Sequence, residues 1–296
     1  MKNYLSIQSK RFELPLFFIL AFVLTWGFWI PITLAKAGQM TFPVNETLAG
    51  ALGAWGPSLA GILLTMAYSG RRGIMTLLRR FLMWRFSLLL YLAAVSLPVI
   101  ISLLTTGVAI LLGAKSPDFA HPLITQTTLL PPEVIQAGFL ILLPTMLISS
   151  IFSSSLGEEI GWRGFALPHL QGRYLPLIAS LILGFIWGLW HFPRVWMPGN
   201  EFDIAAFIWL VLGATLNTVI YTWIFNASDG SLIPGLILHT SQALSNQFLS
   251  KADAPAVEFM VTLTIVILVV WRGMKGRLIA QDDSKSSLKV ENLPIG

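Results

Sequence analysis

Residues 140–167 read LILLPTMLISSIFSSSLGEEIGWRGFAL, which is long enough to cross a lipid bilayer as one helix. A transmembrane helix needs about 20 mostly apolar residues. This stretch nevertheless carries three charged residues, Glu158, Glu159 and Arg163, towards its end. An ionisable group inside a membrane span costs at least a few kcal/mol, so it is by default evidence of a functional site. The stretch therefore predicts a membrane helix and a candidate site together.

Similar apolar stretches occur along most of the chain. Of its 296 residues, 55% are hydrophobic and only 11% are charged, whereas a soluble domain carries about 25% charged residues. The stretches lack the alternation of a barrel strand, which favours helices. The sequence thus predicts an all-α, polytopic membrane helical bundle with about eight transmembrane helices. The predicted spans are 14–35, 48–68, 88–112, 140–167, 175–192, 204–225, 232–249 and 256–271.

The distribution of basic residues predicts the orientation of the bundle. Cytoplasmic loops of membrane proteins carry an excess of Lys and Arg. With eight spans and a cytoplasmic N-terminus, fifteen of the 19 basic residues fall in cytoplasmic segments. Both the N- and C-termini are therefore predicted to be cytoplasmic. The formal net charge of +5 is then a feature of topology, which excludes nucleic acid as a partner.

The most basic segment is residues 71–85, RRGIMTLLRRFLMWR. Its apolar residues recur at helical spacing and its arginines can lie at the level of lipid headgroups. We predict a short interfacial helix here, with an ordinary basic loop as the alternative. The predicted organisation is an N-terminal transmembrane region, a core that holds the candidate site and a disordered cytoplasmic tail, at residues 1–130, 131–272 and 273–296.

The charged residues of the fourth span suggest a division of roles. Glu159 and Arg163 are four residues apart, so they can pair on one helix face. Glu158 points about 100° away from Glu159. The pair would neutralise one carboxylate and leave Glu158 to face a cavity as a general base. The alternative is an ion pair that only holds two helices together.

Two histidines lie at depths similar to that of Glu158. With 1.5 Å of rise per residue, Glu158 lies roughly 15 Å from the cytoplasmic end, His191 roughly 22 Å and His239 roughly 10 Å. We therefore expect these three groups, on three helices, to converge on one cavity. His121 and His169 lie in or beside loops and are predicted to be bystanders. Cysteine is absent, which excludes thiolate metal sites and a cysteine nucleophile.

These residues resemble the motifs of the CPBP family, which comprises type II CAAX prenyl endopeptidases and bacteriocin-processing or Abi proteins. The acidic motif E-E-x-x-x-R at residues 158–163, the W-G-L-W-H block that ends at His191 and a third motif that begins at His239 occur in order within about residues 130–250. The resemblance implies an intramembrane endopeptidase with a cavity open to the cytoplasm. It implies that Glu158 and His191 activate the attacking water, that Glu159 and Arg163 support the site, and that His239 helps to stabilise the oxyanion.

The sequence departs from the family's usual pattern at two positions. Trp187 stands where Phe is usual and keeps an aromatic wall. Ala243 stands where the third motif usually has Asn, so we predict that Gln242 or Asn246 supplies the missing amide donor. The loss of one such donor in another enzyme costs about 10²–10³ in kcat, which makes the third motif critical for the predicted activity.

Two mechanisms remain open for this predicted site. Glu158, His191 and His239 could bind Zn²⁺ as a His₂Glu set with water in the fourth position. Alternatively, Glu158 and His191 polarise the water without a metal, which the sequence slightly favours because it lacks the tight H-E-x-x-H spacing. The predicted cofactor is therefore either none or a divalent metal such as zinc.

The alternative function is a non-catalytic bacteriocin-immunity or partner-binding membrane protein, which Ala243 favours. A secondary transporter is a third class, but the sequence has no evident inverted repeat. The predicted partners are membrane lipid and a protein or peptide substrate, with small hydrophobic leader peptides favoured over prenylated proteins. The compact loops and the charge bias predict the bacterial inner (plasma) membrane as the location.

Overall fold

The computed structural model describes residues 2–126, 132–136, 138–196 and 202–271. Every regular element within these ranges is helical, so the predicted all-α class is confirmed. The main helices are α1 Lys2–Lys36, α2 Glu46–Ala54, α3 Gly56–Arg79, α4 Leu88–Leu111, α5 Phe139–Gln171, α6 Pro176–Trp190, α7 Ile204–Ala227, α8 Ile233–Phe248 and α9 Pro255–Val269. The predicted tail, 273–296, lies outside the described residues.

Five helical stretches in these ranges are long and apolar enough to cross a membrane. They are Phe12–Lys36, Glu46–Leu82, Leu88–Leu111, Phe139–Gln171 and Ile204–Ala227. Helices α6 and α9 are shorter but also apolar. Many large apolar side chains of these helices are exposed on the outside of the bundle, as expected of a surface that contacts lipid chains. The protein is therefore an integral membrane protein, while the count of eight spans and the position of both termini stay predictions.

Helix α5 widens on both sides of the acidic pair. Its backbone forms π-helical turns at Ile151–Ser155 and Ile160–Ala166, with one α-helical turn between them. Such π-turns inside α-helices are frequent at functional sites. The hydroxyl of Ser58 on α3 donates a hydrogen bond of 2.7 Å to the carbonyl oxygen of Leu156. Helix α3 therefore supports the backbone immediately before the acidic pair.

Two pairs of glycines bring the helices of the candidate site close to their neighbours. Gly157 and Gly161 lie four residues apart on α5, and a Cβ added at Gly161 would overlap the carbonyl oxygen of Pro57 on α3. Gly184 and Gly188 of α6 pack in the same way against the backbone of α7. Small residues at this spacing let membrane helices pack backbone against backbone. The glycines thereby fix the position of α5, which carries Glu158, Glu159 and Arg163. They also fix the position of α6, which ends immediately before His191.

We predict that Gly161→Ala lowers the free energy of unfolding by about 1–3 kcal/mol, because the added methyl group has no room against α3. The matched control is Gly107→Ala on α4, where an added Cβ meets no heavy atom within 4 Å. That change is expected to be neutral or stabilising by up to about 1 kcal/mol. Denaturant unfolding in detergent micelles measures both variants, and equal effects would contradict the packing argument.

Candidate active site

The acidic residues, the arginine and one histidine form a buried cluster between α5 and α8. Glu158 is 2% exposed, Glu159 0% and Arg163 1%, and His239 of α8 is 9% exposed. A buried charge is expensive unless it is paired and hydrogen-bonded. The partners of each carboxylate therefore indicate what that carboxylate does.

Glu159 binds two cationic or hydrogen-donating groups through one oxygen atom. Its Oε1 accepts a hydrogen bond of 2.8 Å from Arg163 Nη1, which is the pair expected from their spacing. The same oxygen lies 2.9 Å from His239 Nδ1. A carboxylate that pairs with arginine can only accept, so Nδ1 of His239 carries its proton and donates it to this bond. Glu159 thus orients both Arg163 and His239.

Glu158 has a different set of partners. Trp187 Nε1 donates a hydrogen bond of 2.8 Å to Glu158 Oε2. The other oxygen, Oε1, lies 3.9 Å from His239 Nε2, which is too far for a direct hydrogen bond. At separations beyond about 3.5 Å a water molecule commonly bridges two polar groups. Glu158 therefore keeps one oxygen directed at the imidazole without a direct bond to it.

His191 follows the last residue of α6 and contacts the same tryptophan. Its Nδ1 lies 2.8 Å from the carbonyl oxygen of Trp187. A carbonyl only accepts, so Nδ1 carries a proton, and in the neutral ring Nε2 holds the lone pair. The ring centroids of His191 and Trp187 are 5.3 Å apart. Trp187 therefore contacts both Glu158 and His191, the two groups predicted to activate water.

The indole of Trp187 does more than the aromatic wall expected from the sequence. It supplies a hydrogen-bond donor, which the phenylalanine usual at this position of the family's second motif cannot supply. The residue type itself indicates this role, because the N–H of a buried tryptophan usually donates a hydrogen bond to some acceptor. In this chain that acceptor is the carboxylate predicted to be the general base.

Tyr221 of α7 packs against the cluster, although the sequence predicts for it a packing role and no catalytic one. Its ring centroid lies 3.7 Å from Arg163 Cζ, and that of Trp187 lies 4.8 Å from the same atom. A guanidinium over an aromatic face is attracted to the ring electrons. The hydroxyl of Tyr221 also donates a hydrogen bond of 3.3 Å to Gln242 Oε1. Arg163 is thus held by Glu159 and by two aromatic rings.

Gln242 and Asn246 line a cavity beside this cluster. The cavity lies between α4, α7, α8 and α9 and measures about 20 Å³, which is roughly the space of one water molecule. Its other polar lining residues are Ser102, Asn217, Ser245, Lys251 and Glu258. Neither predicted catalytic histidine nor Glu158 is part of its lining. Replacement of the missing amide donor by Gln242 or Asn246, and a cavity open to the cytoplasm, stay predictions.

The two histidines expected to be bystanders have partners outside the cluster. His121 Nδ1 lies 2.7 Å from Asp118 Oδ2 in an exposed loop, and this hydrogen bond holds the pKa of Asp118 below its usual range. His169 Nδ1 lies 2.6 Å from the carbonyl oxygen of Phe165, and its Nε2 lies 3.1 Å from Glu13. Both rings are therefore engaged in contacts outside the cluster.

The predicted zinc ligands do not form a three-residue group. In the described ranges no three His, Asp or Glu side chains are placed so that they could hold a metal ion. Glu158 and His239 face each other, whereas His191 Nδ1 is hydrogen-bonded to the carbonyl oxygen of Trp187. The side chains as arranged do not fit a His₂Glu zinc site. The zinc ligand set stays a sequence prediction, and the reaction steps proposed below use no metal.

Comparisons with known proteins concern the segment that holds this cluster. Residues 136–244 match the family model described as type II CAAX prenyl endopeptidase Rce1-like. A CAAX prenyl protease 2 of Methanococcus maripaludis is 33% identical over 122 residues, which cover 37% of this chain and 45% of that protein. The match therefore spans less than half of the relative's length. All five residues of the predicted catalytic set lie within 136–244. The family resemblance indicated by the motifs is thus confirmed for this segment, which matches the Rce1-like type II CAAX prenyl endopeptidases.

Proposed function

We propose that the protein is an intramembrane endopeptidase that hydrolyses a peptide bond of a membrane-associated protein or peptide. The observation that carries this proposal is the position of Glu158. Its carboxylate is buried, its Oε2 accepts from Trp187, and its Oε1 faces His239 Nε2 across 3.9 Å. Unlike Glu159, Glu158 has no direct bond to Arg163, and a buried carboxylate with an oxygen that makes no direct hydrogen bond has the placement that a general base needs.

The attacking water binds against Glu158 Oε1, and the lone pair of His191 Nε2 helps to orient it. Glu158 takes one proton from the water while the oxygen atom of that water attacks the carbonyl carbon of the substrate. His239 Nε2 donates to the resulting oxyanion from a charged ring. With that ring charged, two carboxylates, one guanidinium and one imidazolium leave the cluster without net charge, as a buried site requires. The proton then passes from Glu158 to the leaving amine as the C–N bond breaks.

The remaining site residues position these groups. Glu159 orients the ring of His239 through Nδ1 and balances the charge of Arg163. Arg163 and Tyr221 pack face to face and support the wall that contains Trp187. Rigid support of this kind matters because a misplacement of about 1 Å can cost 10²-fold in rate.

The substrate and its side of access follow from the predicted orientation. We propose that the substrate reaches the cluster from the cytoplasm, and that the host membrane is a bacterial inner membrane. Small hydrophobic leader peptides are the favoured substrates, because an apolar chain can enter the lipid around the long apolar helices of this bundle. The relative named as a prenyl protease makes prenylated C-terminal peptides the second class to test.

A non-catalytic, partner-binding role is the second candidate function. The observation that favours it is Ala243, which provides no amide donor, while Gln242 accepts a hydrogen bond from Tyr221 and borders a separate cavity. A protein of this kind would bind its partner and leave it uncleaved. Cleavage therefore separates the two candidates.

The proposed function is tested with protein purified in detergent and incubated with hydrophobic leader peptides and prenylated C-terminal peptides. Mass spectrometry is expected to detect new peptide termini with the wild-type protein. His191→Ala is expected to lower kcat by about 10²-fold, since it loses one group that orients the water. The matched control, His121→Ala, alters an exposed loop and is expected to retain full activity.

Absence of cleavage in both peptide classes, together with measurable binding of either, would support the non-catalytic role. Full activity of His191→Ala would remove that residue from the mechanism. Circular dichroism and the unfolding midpoint of each variant exclude loss of folding as the cause of lost activity.

Trp187→Phe is expected to lower kcat by about 10- to 100-fold while the fold persists. The variant keeps an aromatic wall but loses the indole hydrogen bond to Glu158, and a hydrogen bond to a charged group contributes about 1.5–3 kcal/mol. The control is Trp209→Phe, because Trp209 of α7 packs against Phe259 away from the cluster. If both variants cleave at the wild-type rate, the indole hydrogen bond has no part in catalysis.

A further inference from the structure

The basic segment, residues 71–85, is separated from the rest of α3 by Gly70. This glycine has φ 60° and ψ −158°, which interrupts the helical backbone. A positive φ is accessible to glycine at little cost and is strained for other residues. The chain therefore changes direction at Gly70, and the residues that follow form a helical segment of their own. A 3₁₀ turn at Arg80–Leu82 continues this segment.

The basic segment has three different sides. Leu77 is 5% exposed and faces the bundle. A second side, at helical spacing, is apolar and exposed, and its residues are Met75, Leu78 and Leu82. Next to this apolar side lies a side of exposed arginines, Arg72 and Arg79. Exposed apolar residues bordered by arginines are the pattern of a helix that lies at the surface of an anionic bilayer.

The end of the basic segment also carries side chains that suit the surface of a membrane. Trp84 is 59% exposed, and the guanidinium of Arg85 lies 5.3 Å from its ring centroid. Tryptophan is enriched at the interface between lipid and water, where its ring sits at the level of the headgroups. An exposed tryptophan beside an exposed arginine is therefore a suitable contact for a lipid headgroup and the adjoining chain.

The basic segment is also hydrogen-bonded to the start of α8. Ser231 Oγ donates to the carbonyl oxygen of Met83 at 2.6 Å, and the backbone N–H of Leu232 donates to that of Arg80 at 3.2 Å. Arg80 Nη1 in turn donates to the carbonyl oxygen of Gly230 at 3.3 Å. Helix α8 begins at Ile233 and carries His239 of the cluster. The position of the basic segment thus affects the helix that holds this histidine.

A contact with α5 joins the segment to the other half of the cluster. A Cβ added at Gly164 would lie 2.7 Å from Leu77 Cδ1 and 3.5 Å from a Cδ1 of Leu232. Gly164 therefore packs between the basic segment and the start of α8, one residue after Arg163. Both helices of the buried cluster meet the segment at this point.

We propose that anionic phospholipids of the bilayer bind the basic segment and thereby stabilise the positions of α5 and α8. Negative headgroups pair with Arg72, Arg79 and Arg85, while the exposed apolar side contacts the outer part of the acyl chains. Charge complementarity selects anionic over zwitterionic lipid, since the exposed charged groups of this segment are all arginines. This inference concerns lipid binding and helix position, so it does not depend on the proposed peptidase activity.

The binding step is tested with the purified full chain by native mass spectrometry, with phosphatidylglycerol and phosphatidylcholine as probes. The variant Arg72→Gln/Arg79→Gln is expected to bind phosphatidylglycerol about thirty-fold more weakly, because each basic residue at an anionic surface contributes about 1 kcal/mol. The control Lys36→Gln/Lys115→Gln removes the same charge from exposed positions elsewhere. The Lys36–Glu46 pair that it breaks is exposed and contributes little.

Specific binding requires that the control keep wild-type affinity and that phosphatidylcholine bind weakly to every variant. Equal affinity for the two lipids would overturn the proposal, as would an equal loss in the control. Inorganic phosphate is the third probe: if it displaces phosphatidylglycerol at similar concentration, the segment binds free anions and the lipid assignment is wrong.

The coupling step is tested by hydrogen exchange in nanodiscs with and without phosphatidylglycerol. The lipid is expected to slow amide exchange in the first turns of α8 of the wild-type chain. This slowing should disappear in Arg72→Gln/Arg79→Gln. It should be smaller in Ser231→Ala, which retains the arginines and still binds the lipid but loses the hydrogen bond to the carbonyl oxygen of Met83. Unchanged exchange in the wild-type chain, or equal slowing in Ser231→Ala, would overturn the coupling.

Discussion

Glu158→Gln is expected to lower kcat by about 10⁴-fold while the protein remains folded. Glutamine has the same size as glutamate, and its amide oxygen can still accept the hydrogen bond that Trp187 Nε1 gives to Glu158. It cannot take a proton from water, so the variant loses general-base catalysis, which contributes up to about 10⁴-fold. The Michaelis constant is expected to change little, because the carboxylate acts on the water and not on the substrate.

Steady-state cleavage kinetics in detergent measure this loss, and the unfolding midpoint verifies the fold. The matched control is Glu46→Gln, which removes an exposed carboxylate that pairs with Lys36 outside the cluster. Its activity should equal that of the wild type. Retention of even a tenth of the wild-type kcat by Glu158→Gln would contradict the assignment of this residue as the base.

Glu159→Gln is expected to lower the free energy of unfolding by about 3–5 kcal/mol, the range for breaking a buried ion pair on one side. Within the described residues, Arg163 Nε and Nη2 have no hydrogen-bond partner, and Nη1 donates to Glu159 alone. Loss of the negative charge therefore leaves a buried guanidinium without a directly bonded counter-charge, held by a neutral amide oxygen and by aromatic rings. The same change weakens the bond that orients the ring of His239.

Denaturant unfolding in micelles measures this loss, and a second variant separates charge from packing. Glu159→Gln/Arg163→Met removes both charges of the pair, and it is expected to recover a large part of the lost stability, because no unpaired charge then stays buried at this pair. A double variant that is less stable than Glu159→Gln would contradict the argument that the unpaired charge causes the loss.

The membrane fold was predictable because it depends on composition and on local spacing. The predicted spans 88–112 and 204–225 match α4 and α7 to within two residues at each end, and 14–35 matches the apolar part of α1, Phe12–Lys36. The agreement arises because lipid requires about 20 apolar residues in a row. The Glu159–Arg163 pair was predictable for the same reason, as helical spacing alone places the two side chains on one face. The π-helical turns around the acidic pair could not be predicted, because no pattern of apolar residues distinguishes a π-turn from the regular helix around it.

The contacts between different helices at the site were harder to predict from the sequence. Helical rise predicts similar depths for Glu158, His191 and His239, but depth does not determine which faces of two helices meet. The contacts of Trp187 with Glu158 and of Tyr221 with Arg163 join separate helices. They depend on how closely glycines let α5 and α6 approach their neighbours. The sequence does show that Trp187 replaces the usual phenylalanine, and the N–H of its indole indicates a polar role.

The most direct test of the central claim is single-turnover cleavage of a membrane peptide in H₂¹⁸O, followed by mass spectrometry of both products and of the protein. Water attack assisted by Glu158 predicts one ¹⁸O atom in the new carboxyl group and an unmodified protein chain. The label should vanish together with the product in Glu158→Gln. Intact peptide after incubation with the folded wild-type protein, or a covalent adduct between the chain and the peptide, would contradict the account.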